Sequence, residues 1–184
     1  MNIIVKPYDH KLCYCRPDTT WEKESRDLYM PEGVDKVLWT PVVFARICKA
    51  GKFVSEKFVT RYYDSVGFGV LLYSGEDSIA YSSCIDHSSI LPLPLYNTLV
   101  LENNENHFII NIDSSERDFK MEDNIKKDIE SAICTASKRT SLRIGDIVGI
   151  ELAGMEELLE RPGAESRLTA KFCENNLFDL KVIF

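Results

Sequence analysis

Short runs of β-branched and aromatic residues recur along most of this chain, and they constrain its fold more than any other feature. Residues 41–48 (PVVFARIC), 66–73 (VGFGVLLY), 98–101, 107–112 (HFIINI), 146–152 (DIVGIEL), 168–173 and 179–184 each have the length and composition of a strand. Glu174-Asn175-Asn176 joins the last two, and asparagine's tolerance of positive φ predicts a tight hairpin there. Two stretches carry a helical period instead. In 54–63, Val54, Phe58, Val59 and Tyr62 share one face. In 124–138, Ile125, Ile129, Ala132, Ile133 and Ala136 repeat that face, with Asp123 as N-cap. Leu142-Arg-Ile-Gly145-Asp146 supplies a glycine turn into the following strand. Pro92 and Pro94 in LPLPLY suit an extended or edge segment. The pattern predicts an α+β, β-rich fold with two main helices, in one domain over residues 1–184.

At 184 residues the chain can bury a sizeable core without covalent staples. Its formal charge is −7 and it has no basic run, so it lacks the electrostatic footprint of a protein that binds nucleic acid or an anionic membrane. No apolar stretch reaches the roughly 18 residues a spanning helix needs. Lys6 and Pro7 break the first apolar run too early for a signal peptide. These features predict a cytoplasmic protein whose six cysteines stay reduced. Cys13-x-Cys15 is too closely spaced for a shared zinc ion and reads as the start of a strand. No G-x-S-x-G elbow, P-loop, G-x-G-x-x-G or H-E-x-x-H is present, and Gly67-Phe-Gly69 is a strand fragment.

Three stretches, in order, resemble the fumarylacetoacetate hydrolase family. Tyr14-Cys-Arg-Pro-Asp-Thr-Thr20, followed by Leu28-Tyr-Met-Pro31, is similar to the family's aromatic-x-Lys-Pro-Asp segment and the strand after it. Val42-Val-Phe-Ala-Arg-Ile-Cys-Lys-Ala-Gly51, Glu56-Lys-Phe58, Arg61-Tyr-Tyr-Asp64 and Val66-Gly-Phe-Gly69 follow the family's strand, helix and strand spacing. The 124–138 helix, the Leu142-Arg-Ile-Gly-Asp146 turn and Leu177-Phe-Asp-Leu-Lys181 resemble its closing part. The resemblance implies a mixed β-roll or sandwich, usually a homodimer, and metal-dependent hydrolase, decarboxylase or isomerase chemistry on keto acids.

In that family a Glu-x-Glu on one strand and an Asp on the strand after the helix hold Mg²⁺ or Mn²⁺, which polarises a keto oxygen. Residues i and i+2 of a strand share a face, so the two glutamates converge. Carried onto this sequence, those positions are Thr40, Val42 and Leu71, and none is a carboxylate. The family's N-terminal His-x-x-Glu has no counterpart, with His10 at most a remnant. Its Lys-x-Phe-Asp reads Ser83-Cys-Ile-Asp86, and its Gly-Thr-Pro loop reads Glu151-Leu-Ala153.

The remaining candidates are Asp86 with His87 as an acid–base pair, and Asp18, Asp64 and Asp86 as pocket residues. Each also has a plain structural reading: a polar turn, a helix end or a turn after proline. Arg46 reads as an outward residue or the partner of a nearby acid. Glu156, Glu157 and Glu160 read as a solvated loop or helical turn. The sequence therefore predicts a non-catalytic fumarylacetoacetate-hydrolase-like binding or interaction protein without a cofactor, as a homodimer or beside an active relative. The alternative is an enzyme whose Mg²⁺ or Mn²⁺ site is rebuilt from Glu76, Asp77, Asp86 or Glu32 and Asp35.

Overall fold

The computed structural model describes residues 1–121, 124–162 and 165–184. Its strands are β1 (Ile3–Lys6), β2 (Tyr14–Arg16), β3 (Trp21–Glu22), β4 (Leu28–Tyr29), β5 (Lys36–Ile47), β6 (Tyr63–Ser74), β7 (Ser89–Ile90), β8 (Tyr96–Asn97), β9 (His107–Ile112), β10 (Ser115–Lys120), β11 (Ile147–Glu151), β12 (Glu156–Glu160), β13 (Glu165–Phe172) and β14 (Asn175–Ile183). The helices are α1 (Ile79–Ser82) and α2 (Ile125–Arg139), with 3₁₀ turns at Asp18–Thr20, Glu56–Arg61 and Thr98–Glu102. One sheet runs β2-β1-β11-β5-β6-β7-β3, with β12 added to β5 and β8 to β6; the second runs β10-β9-β13-β14-β4. Pairing is mixed: β1 with β11, β3 with β7 and β14 with β4 are parallel.

The central pair, β5 and β6, runs antiparallel from Val37 opposite Ser74 to Ile47 opposite Tyr63. Both strands are covered on both faces, which is why their sequences read as near-continuous apolar runs and not as alternation. Trp39, Val43, Phe68, Val70 and Leu72 point to the second sheet and α2, where they meet Phe108, Leu168, Phe172 and Ile129. Phe68 stacks on Phe172 with ring centroids 4.0 Å apart. The opposite face presents Val42, Phe44, Leu71 and Tyr73 to Ile3, Val5, Leu91 and Ile147. Gly67 and Gly69 let neighbours close in here. A Cβ on Gly67 would lie 2.3 Å from the Phe44 ring, and one on Gly69 would lie 2.1 Å from the Ile90 carbonyl oxygen.

The 125–139 helix buries the face its period predicts, including Ile125, Ile129, Ala132, Ile133 and Ala136. Asp123, expected as its N-cap, lies outside the described residues. Gly145 turns with φ +89, and the buried Asp146 carboxylate holds that turn by accepting from the Asn2 and Arg143 backbone N–H groups at 2.7 and 2.8 Å. The second predicted helix is corrected. Residues 56–61 form a 3₁₀ helix with only Val59 buried, because six residues including adjacent Val and Thr are too few to nucleate an α-helix. Residues 98–101 are not a strand: the Asn97 side chain accepts from the Leu99 N–H at 2.9 Å and caps a 3₁₀ turn.

In the last hairpin the positive φ falls on Cys173 (51°), while Asn175 and Asn176 pair as strand residues. Glu156–Glu160 is a strand and neither a loop nor a helical turn. Its Glu157 pairs with Lys36 on the adjoining β5 at 2.6 Å, and its Glu156 with Arg117 on β10 of the other sheet at 3.3 Å. All six cysteines are unbridged. Among the described residues, no helix is long and apolar enough to cross a membrane.

Candidate functional site

Thr40 and Leu71 stand opposite each other across the β5–β6 ladder, and Val42 lies two residues along on the same face. Their exposures are 0%, 0% and 1%. The Thr40 hydroxyl donates to the Ala153 carbonyl at 2.7 Å, so it is engaged by the loop after β11. Val42 and Leu71 pack among Phe44, Tyr73, Ile3, Val5, Leu91 and Ile147. One hydroxyl and two aliphatic side chains in a dry apolar layer do not fit Mg²⁺ or Mn²⁺, which take oxygen ligands and dehydrate reluctantly. Among the described residues, no three His, Cys, Asp or Glu side chains converge to hold a metal ion.

Beside this layer lies a buried polar network. The Tyr14 hydroxyl meets the Tyr73 hydroxyl, Tyr73 donates to Glu151 Oε1 at 2.6 Å, and the Tyr8 backbone N–H donates to Glu151 Oε2 at 3.0 Å. Arg16, 2% exposed, spreads its guanidinium 4.7 Å over the Tyr73 ring. It donates from Nε to Ser89 Oγ at 2.7 Å and from Nη2 to the Leu72 carbonyl and Ser88 Oγ, both at 2.8 Å. Desolvation raises Glu151 above the usual carboxylate range. Burial likewise pushes Tyr14 up to about 12 and Tyr73 well above its ordinary value.

Tyr63 and Tyr96 are raised by burial too. A group whose folded pKa lies above its unfolded value contributes stability that is complete below the unfolded value and is lost as pH rises through the folded one. Spectrophotometric titration should therefore find four of the eight tyrosines ionising late, above pH 10, with unfolding setting in as they do. Eight tyrosines titrating together near pH 10 in the folded protein would contradict the buried network.

The other predicted residues are not brought together as expected. Asp86 and His87 do not pair: the His87 Nδ1 bonds Glu22 Oε2 at 3.0 Å, while Asp86 is exposed. Asp64 forms an exposed ion pair with Arg46 at 3.3 Å, which also accounts for Arg46. Asp18 faces the N-terminal ammonium at 3.7 Å. Glu32, Glu76 and Asp86 line one cleft, whereas Asp35 pairs with Arg161 at 3.5 Å. Arg16 and Glu22 were missed. The one available signal for Arg16 was its place at the lysine of the family's aromatic-x-Lys-Pro-Asp segment.

The two packed, mixed sheets and the β5–β6 hairpin define the fold of the fumarylacetoacetate hydrolase family. A protein of Yersinia pestis CO92 described as belonging to that family superposes with a TM-score of 0.77 at 14% identity, over 99% of this chain and 92% of its own. A fumarylpyruvate hydrolase from Pseudomonas aeruginosa, solved with Mn²⁺ and pyruvate, gives 0.78 at 13% identity over 100% and 90%. A 5-carboxymethyl-2-hydroxymuconate delta-isomerase from Mycobacterium smegmatis gives 0.78 at 11% identity over 99% and 78%. No family model and no curated protein matches the sequence.

Proposed function

We propose that the chain is a short member of the fumarylacetoacetate hydrolase family that has lost metal-dependent catalysis. It acts in the cytoplasm as a binding or interaction protein, as a homodimer or beside an active relative. The observation that carries this reading is the dry layer around Thr40, Val42 and Leu71, where aliphatic side chains stand at the positions the resemblance gives to metal-binding carboxylates. Without the cation the reaction type itself is lost, because nothing else at that place polarises a keto oxygen. The Tyr14–Tyr73–Glu151 chain supports the same reading, since Glu151 stands where the family's substrate loop has Gly-Thr-Pro.

A second reading is a metal-dependent hydrolase, decarboxylase or isomerase of keto acids or acylpyruvates with a rebuilt site. Two observations favour it. Solved structures of this fold include a hydrolase and an isomerase by name, and Glu32, Glu76 and Asp86 share one cleft.

Melting curves with and without millimolar Mg²⁺ or Mn²⁺ separate the two. A micromolar site filled at a hundred times its Kd adds about 2.7 kcal/mol, a rise of several degrees for a domain of this size. The expected result is no shift, and no turnover of acylpyruvates or oxaloacetate. A metal-dependent rise rejects the non-catalytic reading. If Asp77→Asn or Asp86→Asn abolishes that rise, the ligands are located.

A further inference from the structure

A cleft of about 700 Å³ opens between the segment carrying β4 and the segment carrying α1, at the Ser74 end of β6. Its floor is apolar: Leu28, Val34, Ile85 and Ile90 are each at most 8% exposed. Tyr29 and Tyr81 line it from opposite segments, and their side chains are 71% and 70% exposed. Nothing in the packing of this fold requires two bare aromatic rings at one opening.

His87 lines the same cleft and is fixed from behind. Its Nδ1 bonds the buried Glu22 carboxylate at 3.0 Å, and that carboxylate is itself held by the Lys23 and Glu24 backbone N–H groups at 2.9 and 2.8 Å. A carboxylate on Nδ1 sets the tautomer, so the neutral imidazole offers Nε2 as an acceptor. That nitrogen has no partner among the described residues. His87 also holds a φ of 60°, which a non-glycine residue seldom adopts. The charge around the opening selects among ligands. Glu32, Glu76 and Asp86 are exposed and unpaired among the described residues, whereas Arg26 is tied to Glu24 at 2.6 Å. An anion entering this cleft is repelled.

We propose that the cleft binds a small organic amine. Its apolar body covers Leu28, Val34, Ile85 and Ile90, its ammonium donates to His87 Nε2, and its charge rests against the faces of Tyr29 and Tyr81. The amine gives the binding role a ligand class and rests on that role.

Calorimetric titration tests it with three compounds of one shape: 2-phenylethylamine, 2-phenylethanol and 3-phenylpropionate. The amine should bind saturably with a Kd on the order of 10⁻⁴ M, as suits a ligand of this size. The alcohol should bind at least tenfold more weakly, and the acid should give no heat. Tyr29→Ala, Tyr81→Ala and His87→Gly should each weaken the amine at least fivefold. Glycine is chosen at 87 because it adopts the positive φ freely. Phe53→Ala, at an aromatic ring 70% exposed but outside the cleft, should change nothing. Melting curves check that each variant is folded. Absence of saturable amine binding, acid binding as tight as the amine, or weakening in fewer than two of the three cleft variants overturns the proposal. Such failure leaves the metal and turnover results untouched, so the two readings fail separately.

Discussion

Leu71→Asp is expected to lower the unfolding free energy by about 4–5 kcal/mol, the cost of an unpaired charge in a dry layer. Leu71 is 0% exposed, its cross-strand neighbour Thr40 already donates to Ala153, and Val42 completes an aliphatic surround. The other cross-strand neighbour of Leu71 is Ser89, whose hydroxyl already accepts from Arg16 Nε at 2.7 Å, so a new carboxylate has to break into an occupied network. With a denaturant slope of about 2–3 kcal/mol/M, the urea midpoint should fall by roughly 1.5–2 M. Leu71→Ala separates the cavity from the charge and should cost about 3 kcal/mol. Millimolar Mn²⁺ should leave the Asp variant as unstable as before. Recovery of several degrees on adding Mn²⁺ would mean that other ligands stand around residue 71, and the enzymatic reading would then prevail.

Arg16→Met is expected to cost about 3 kcal/mol at neutral pH, because it strips the Leu72 carbonyl and the Ser88 and Ser89 hydroxyls of a buried charged donor. Its pH dependence is the sharper result. Glu151 titrates above its ordinary value of 4.5, chiefly through desolvation, and Arg16 opposes that rise. A carboxyl whose folded pKa is raised contributes stability below its unfolded value and loses it as pH rises through the folded one. Removing Arg16 raises Glu151 further, so the deficit of Arg16→Met should grow from pH 4.5 to neutrality. Adding Glu151→Gln should flatten that slope. Urea midpoints of the single and double variants at pH 4.5 and 7.5 measure it. A deficit independent of pH would show that Arg16 and Glu151 are not coupled.

The strand frame was legible because burial on both faces writes itself into β5 and β6 as unbroken apolar runs. The 125–139 helix was legible because its apolar positions hold one face for four turns. Glu156–Glu160 was not: its acids are drawn into a strand by Lys36 and Arg117, which lie far away in sequence. At the site, that residues 40 and 42 share a face followed from strand spacing, and the ladder sets Leu71 opposite Thr40. What fills the place could not be read in that way. Tyr14 and Arg16 come from β2, Tyr73 from β6 and Glu151 from β11, and no local pattern announces that these three strands meet there. The His87–Glu22 pair escaped for the same reason, since the neighbour in sequence, Asp86, is the wrong partner.

Two of the three parallel pairings bear on how this chain is made. Ile3 pairs with Ile147, and Leu28 with Val182, so β4 and one side of β1 find their seats on late strands. At roughly 5–20 residues per second on the ribosome, β1 waits on the order of ten seconds before β11 exists. Throughout that interval Ile3, Ile4 and Val5, at most 1% exposed in the finished fold, lack their β11 partner. With so many contacts distant in sequence, refolding in isolation belongs to the slow, millisecond-to-second class.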